Sequence, residues 1–179
     1  MRRFVLFLAT FLTLTAILII LSGYGNSARL LSFPLDSGGK SLNSTAAEMT
    51  PHVSGRYIAF SSDRLGRQDI YLYDLVNRSL IDLPGLNSFD AIASNPAVSE
   101  NGQYIVFSSS RQGKSDIFLY DRKTRQLRNL TNSLQAEVRH PTISADGSRI
   151  AFESSANGQW DILVYDRSGK PIDVPFAPQ

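Results

Sequence analysis

The 179-residue chain has no cysteine, which excludes disulfides, zinc-thiolate sites and cysteine nucleophiles. It has one tryptophan and two histidines, His52 and His140, so imidazole chemistry has few places to occur. It also lacks a charge excess in its main body. The formal charge of +2 comes from Arg2 and Arg3, and the other basic residues equal the 16 acidic ones. A neutral body carries no nucleic-acid footprint, which needs a basic stripe. Charge is absent altogether from Phe4 to Leu21.

That apolar run follows Met1-Arg2-Arg3 and precedes the small residues of Ser22 to Ala28. This order marks a secretory signal. The run is also long enough to span a bilayer. Residues 1–28 are therefore expected to be either a signal peptide cleaved near Gly25 to Ala28 or a retained N-terminal membrane anchor. Both outcomes put the rest of the chain outside the cytoplasm, most simply in a periplasm, because the arginines stay inside.

What the chain has in abundance is one phrase written three times. Prolines stand at 51, 96 and 141, two steps of 45; phenylalanines stand at 60, 107 and 152. The copies run from Pro51 to Asp74, Pro96 to Asp121 and Pro141 to Asp166. A fixed period near 45 residues suits one four-stranded propeller blade. Each copy predicts a first strand opening at the proline, and a tight turn at Ser54-Gly55, Asn101-Gly102 or Asp146-Gly147. A second strand follows at Tyr57, Tyr104 or Arg149, with an apolar run that means burial on both faces. A hairpin bends at Gly66, Gly113 or Gly158. A third strand runs from Asp69, Asp116 or Asp161 and is rich in aromatic and β-branched residues. The fourth begins at Leu80, Leu127 or Ile172.

The pattern Pro-x-Val/Ile-Ser…Ile-Ala/Val-Phe-x-Ser-Ser…Gly…Asp-Ile-x-x-Tyr-Asp resembles the propeller repeat of the TolB family. The resemblance covers residues 49–175. It implies a fold of three four-stranded β-propeller blades, half of a six-bladed propeller, and a noncatalytic scaffold role among proteins of the cell envelope. The expected organisation is 1–28 signal or anchor, 29–48 a short strand (Leu30 to Pro34) and a flexible linker, then blades at about 49–93, 94–138 and 139–175, with a tail at 176–179.

The repeat holds no reaction chemistry. Asp69, Asp116 and Asp161 fall in separate blades, which suits a structural hydrogen bond to the adjacent hairpin backbone better than a metal or a catalytic site. Asp74, Asp121 and Asp166 open turns, where aspartate bonds its own backbone. Neither histidine has an acid paired with it in the sequence, and no nucleophile elbow occurs. Thr50, His52, Asn95 and His140, at the starts of repeats, are the binding candidates for the axial mouth. No metal or cofactor is expected. The basic cluster of Arg122, Lys123, Arg125 and Arg128 reads as a solvated outer face.

Three blades cannot close a ring, which takes four to eight. The outer faces of blades one and three are therefore expected to be apolar and exposed, and a homodimer would complete a six-bladed ring. The rival is an open stack capped by residues 29–48. Three functions are consistent with these features: a protein-binding envelope scaffold, a carbohydrate- or cell-wall-binding propeller, and a propeller enzyme or peptidase-accessory domain.

Overall fold

The structure is a computed structural model that describes residues 39–174. The signal or anchor segment, the strand expected at Leu30 to Pro34 and the tail lie outside the described residues. Within them the fold is all-β, with three antiparallel sheets that follow one another along the chain. Blade one holds β1 (Glu48–Ser54), β2 (Tyr57–Ser62), β3 (Asp69–Asp74) and β4 (Ser79–Ile81). Blade two holds β5 (Ile92–Val98), β6 (Tyr104–Arg111), β7 (Lys114–Asp121) and β8 (Gln126–Asn129). Blade three holds β9 (Val138–Ile143), β10 (Arg149–Ser154) and β11 (Asp161–Asp166). In blade three the fourth strand shrinks to a bridge from Tyr165 to Pro171, with Ile172 N–H donating to Val164 O at 2.7 Å.

Strand order within each sheet follows the sequence, so every connection is a local hairpin. The first strands lie side by side, β1 against β5 and β5 against β9. They form the inner edge, the side that faces the axis of a propeller.

Alternation along each strand sends side chains to opposite faces, and both faces meet a neighbour in the middle of the stack. The front of blade one, with Ala59, Ile70 and Leu72, packs on the back of blade two, with Ile105, Phe107 and Tyr120. The front of blade two, with Val106, Ile117 and Leu119, packs on Ile150, Phe152 and Tyr165 of blade three. The same trio, isoleucine, phenylalanine and tyrosine, supplies each back face, and in blade one it is Ile58, Phe60 and Tyr73. The Tyr120 hydroxyl also donates to Pro84 O of the preceding blade at 2.8 Å.

Three sequence expectations are corrected. The prolines do not open the first strands; Pro51, Pro96 and Pro141 lie inside them, so the blades begin earlier, at Glu48, Ile92 and Val138. The outer face of blade one is not a bare apolar surface. Arg64 lies over the rings of Phe60 and Tyr71 at 5.2 and 4.7 Å, and Phe60 is only 1% exposed. Arg64 in turn donates to the carbonyls of Gly39, Ser41 and Leu42, at 2.9, 3.0 and 3.1 Å, and pairs with Glu48 at 2.7 Å. Residues 39–48 are thus strapped to the blade by Arg64 and also by Asp63, which accepts Ala47 N–H at 2.9 Å.

The free face of blade three is mixed rather than wholly apolar. Ile162 is 64% exposed there, whereas its counterparts Ile70 and Ile117 are 1% and 0% exposed. Beside it stands Glu153, at the position held by Ser61 and Ser108 in the other blades.

Candidate functional site

Three of the sequence candidates share one unusual geometry. Thr50, Asn95 and His140 have φ of 47°, 50° and 49°, and each precedes a proline. Positive φ costs a side chain steric strain, and the residue before proline prefers extended backbone. The register explains how the strain is imposed. Thr50-Pro51, Asn95-Pro96 and His140-Pro141 each oppose a single residue of the second strand, Phe60, Phe107 or Phe152. This is a β-bulge, and on an edge strand it also accommodates a proline that has no N–H to donate. The bulge repeats at one height on the inner edge of all three blades. It re-aims three polar residues, of which Thr50 and His140 are exposed and Asn95 half-buried.

Their partners differ by blade. The Thr50 and Ser61 hydroxyls are hydrogen-bonded at 2.9 Å. His140 Nδ1 meets Glu153 Oε1 at 3.1 Å, so the acid that the sequence did not reveal for this histidine comes from the neighbouring strand. Glu153 also accepts from Arg139 Nε at 2.6 Å. These bonds, from Arg139 first and then His140, lower the Glu153 pKa.

His52 is placed differently. Its Nδ1 accepts the backbone N–H of Val98 at 3.2 Å, joining blade one to blade two. An accepting Nδ1 is unprotonated, and burial pushes the His52 pKa below its usual value. The ring serves as a neutral interblade brace.

The repeated aspartates bond to side chains rather than to the expected hairpin backbone. Asp69 accepts from Arg67 Nε at 2.8 Å. Asp116 accepts from Thr131 Oγ1 at 3.0 Å. Asp161 accepts from Asn157 and Gln159, both at 3.0 Å. The turn aspartates behave as expected: Asp74 accepts Val76 N–H at 2.9 Å, Asp121 accepts Lys123 N–H at 2.9 Å and Asp166 accepts Ser168 N–H at 2.7 Å. Gly66, Gly113 and Gly158 sit at the hairpin bends with φ of 79°, 81° and 81°. Among the described residues no three His, Asp or Glu side chains group to hold a metal ion.

The basic cluster of blade two is partly used up in packing. Arg122 donates to Gly102 O at 2.7 Å and lies over Tyr57 of blade one at 5.5 Å. Arg128 donates to Arg167 O of blade three at 2.9 Å.

Sequence reasoning passed over the loops at the end where second strands lead into third strands. Phe89 is 92% exposed there, with Arg67 over its ring at 4.2 Å. Trp160 is 42% exposed, with Arg139 over its ring at 3.8 Å. A signal was available: Trp160 stands where the other repeats have Gln68 and Ser115.

Stacked antiparallel blades with a bulged inner edge define a β-propeller fold. The family model of the TolB beta propeller domain matches residues 39–174, and the chain belongs to that family. Among solved structures it is similar to TolB from Acinetobacter baumannii, at 27% identity and a TM-score of 0.59, over 75% of this chain and 34% of that one. It is similar in fold to a putative TolB from Agrobacterium tumefaciens, at 22% identity and a TM-score of 0.54, over 67% of this chain and 43% of that one. It also shares its fold with the β-propeller domain of the Trilobed protease from Pyrococcus furiosus, at 18% identity and a TM-score of 0.54, over 72% and 42% of the two chains. The chain therefore spans less than half the length of these proteins. A comparison with curated proteins returns no match.

Proposed function

We propose that this chain is a noncatalytic, extracytoplasmic binding protein of the cell envelope that holds a protein partner along its inner edge. The observation that carries the reading is the threefold bulge at Thr50, Asn95 and His140. Strain repeated at one site in every blade is retained where the surrounding structure imposes it, and such strain clusters at ligand-binding positions. The 27% identity to a TolB supports a role of that kind, and the charged start with its apolar run supports export.

A photoreactive residue at Asn95, introduced in the full chain in intact cells, tests this. A discrete adduct with an envelope protein is expected, lost when Thr50 and His140 are both changed to glycine. The same residue at Val76, exposed in a β3–β4 turn at the opposite end of the blade, should give no such adduct. Equal adducts from both positions, or none from Asn95, would remove the proposal.

A homodimer closing a six-bladed ring is the second reading. Exposed Ile162, whose counterparts are buried by the next blade, favours it. Docking a second copy on the back of blade one requires the strap of residues 39–48 to yield. Light scattering on the full chain decides, since a monomer at micromolar concentration ends this reading.

A further inference from the structure

Four residues of blade three depart from the repeat and touch one another in a chain. Trp160 stands where the other copies have Gln68 and Ser115, and Arg139 where they have Met49 and Ser94. Glu153 replaces Ser61 and Ser108, and His140 replaces Thr50 and Asn95. The fold evidently does not need any of the four, because two blades form without them. Yet the Arg139 guanidinium lies on the Trp160 ring at 3.8 Å, Glu153 holds Arg139 at 2.6 Å, and His140 meets Glu153 at 3.1 Å. With Arg139 lying on the indole ring, Trp160 still keeps 42% of its surface exposed. The ring is held in place before any ligand arrives, which lowers the ordering cost of binding.

Trp160 and Arg139 border a cleft of about 700 Å³ between blades two and three, lined also by Lys114, Ser115, Gln135 and Glu137. Its volume lies in the range of small-ligand sites, which combine an aromatic surface with a few polar groups that fix orientation. Hydroxyl, amide, carboxylate and ammonium groups around one fixed aromatic plane suit a ligand that is flat and apolar on one side and rich in hydroxyls at its rim. We propose that this cleft binds a saccharide, one pyranose ring lying on Trp160 and its hydroxyls bonding to Gln135, Glu137, Ser115 and Lys114. The cleft is lined by none of Thr50, Asn95 and His140, so it can be tested apart from the inner-edge contact proposed above, although His140 is linked to both through Glu153.

Trp160 is the only tryptophan, so fluorescence of the full chain reports on this cleft directly. The probes are chitotetraose, tetragalacturonate and a hexapeptide of alternating Glu and Leu. One of the two saccharides is expected to saturate an emission change with Kd of about 0.01–1 mM. Calorimetry should follow the same transition. Trp160→Gln, the residue of repeat one, should abolish the calorimetric signal. Glu153→Ser, the residue of repeats one and two, should release Arg139 and weaken binding about tenfold. Both place a side chain that this fold already accepts at the same register, so unchanged melting curves are expected. The proposal is overturned if neither saccharide alters the emission at about 10 mM. It is equally overturned if Trp160→Gln binds as wild type does, or if the peptide alone saturates, which would make the cleft a peptide site.

Discussion

Gly102 of blade two lies against the ring of Tyr57 in blade one so closely that an added Cβ would stand 2.5 Å from Tyr57 Cε2. Gly147 of blade three meets Tyr104 of blade two in the same way, also at 2.5 Å. The glycine of each Asn-Gly or Asp-Gly turn thus serves twice, by taking positive φ and by letting the next blade approach. Gly102→Ala should destabilise by about 2–4 kcal/mol, combining backbone strain with overpacking. Urea denaturation measures this, and a loss below about 1 kcal/mol would show that the Tyr57 ring simply moves aside.

Arg64 binds the strap of residues 39–48 through three carbonyls and Glu48, and its side chain is only 5% exposed. Removing it takes the cationic partner from the partly buried Glu48 and one donor from each of the three carbonyls. Arg64→Met should cost about 3 kcal/mol. Backbone amides of residues 39–48 should then exchange with solvent faster than those of β2, as hydrogen-exchange mass spectrometry can show.

Asn87 completes blade one with a side chain. It accepts Ile70 N–H and donates to Ile70 O, both at 2.9 Å, where a longer fourth strand would otherwise pair. Ile70 is 1% exposed, so Asn87→Ala strands two backbone groups. A loss of about 2–3 kcal/mol is expected in thermal or urea unfolding, while Asn87→Asp, which keeps the acceptor only, should lie between the two.

Acid sensitivity has named sources. Asp74 is held down to about 2, first by hydrogen bonding to the Arg56 guanidinium and then by the backbone N–H groups of Asn77 and Val76. Asp146 is also held to about 2, by the hydroxyl of Ser144 and then by Ser148 N–H and hydroxyl. A folded pKa below the unfolded one contributes stability that is present above about pH 4 and is lost as pH falls through the folded value. Stability should begin to fall below about pH 6.5, where the unfolded chain protonates His52 before the folded one does, and fall further between about pH 4 and 2. Asp74→Asn should flatten that fall while lowering stability at neutral pH. Urea midpoints across the pH series test both.

The strained bulge makes a prediction of the opposite sign. Thr50 carries a branched side chain at φ 47°. Thr50→Gly should raise stability by up to about 1 kcal/mol, set against the loss of its bond to Ser61. Partner capture at the inner edge should weaken in the same variant. Greater stability with undiminished capture would separate the strain from the function.

Most of the architecture could be read from the three copies. Isoleucine, phenylalanine and tyrosine recurring every 45 to 47 residues required sheets buried on both sides, and glycine in each turn required hairpins. Thr50, Asn95 and His140 were legible as equivalent positions before prolines. Their bulge was not, because a two-against-one register is a property of the paired strands rather than of either one. The acid beside His140 and the true use of His52 were hidden for a related reason: Glu153 and Val98 come from other strands.

The amino-acid order by itself determined that the chain forms repeated antiparallel sheets, since hydrophobic periodicity and turn residues act over a few neighbouring positions. Only the tertiary structure decided which position of one blade meets which position of the next. Gly102 under Tyr57, Arg64 over Phe60 and Arg139 on Trp160 are contacts selected by packing in three dimensions, where the residues that meet are set by the stacking distance between sheets and not by their separation along the chain.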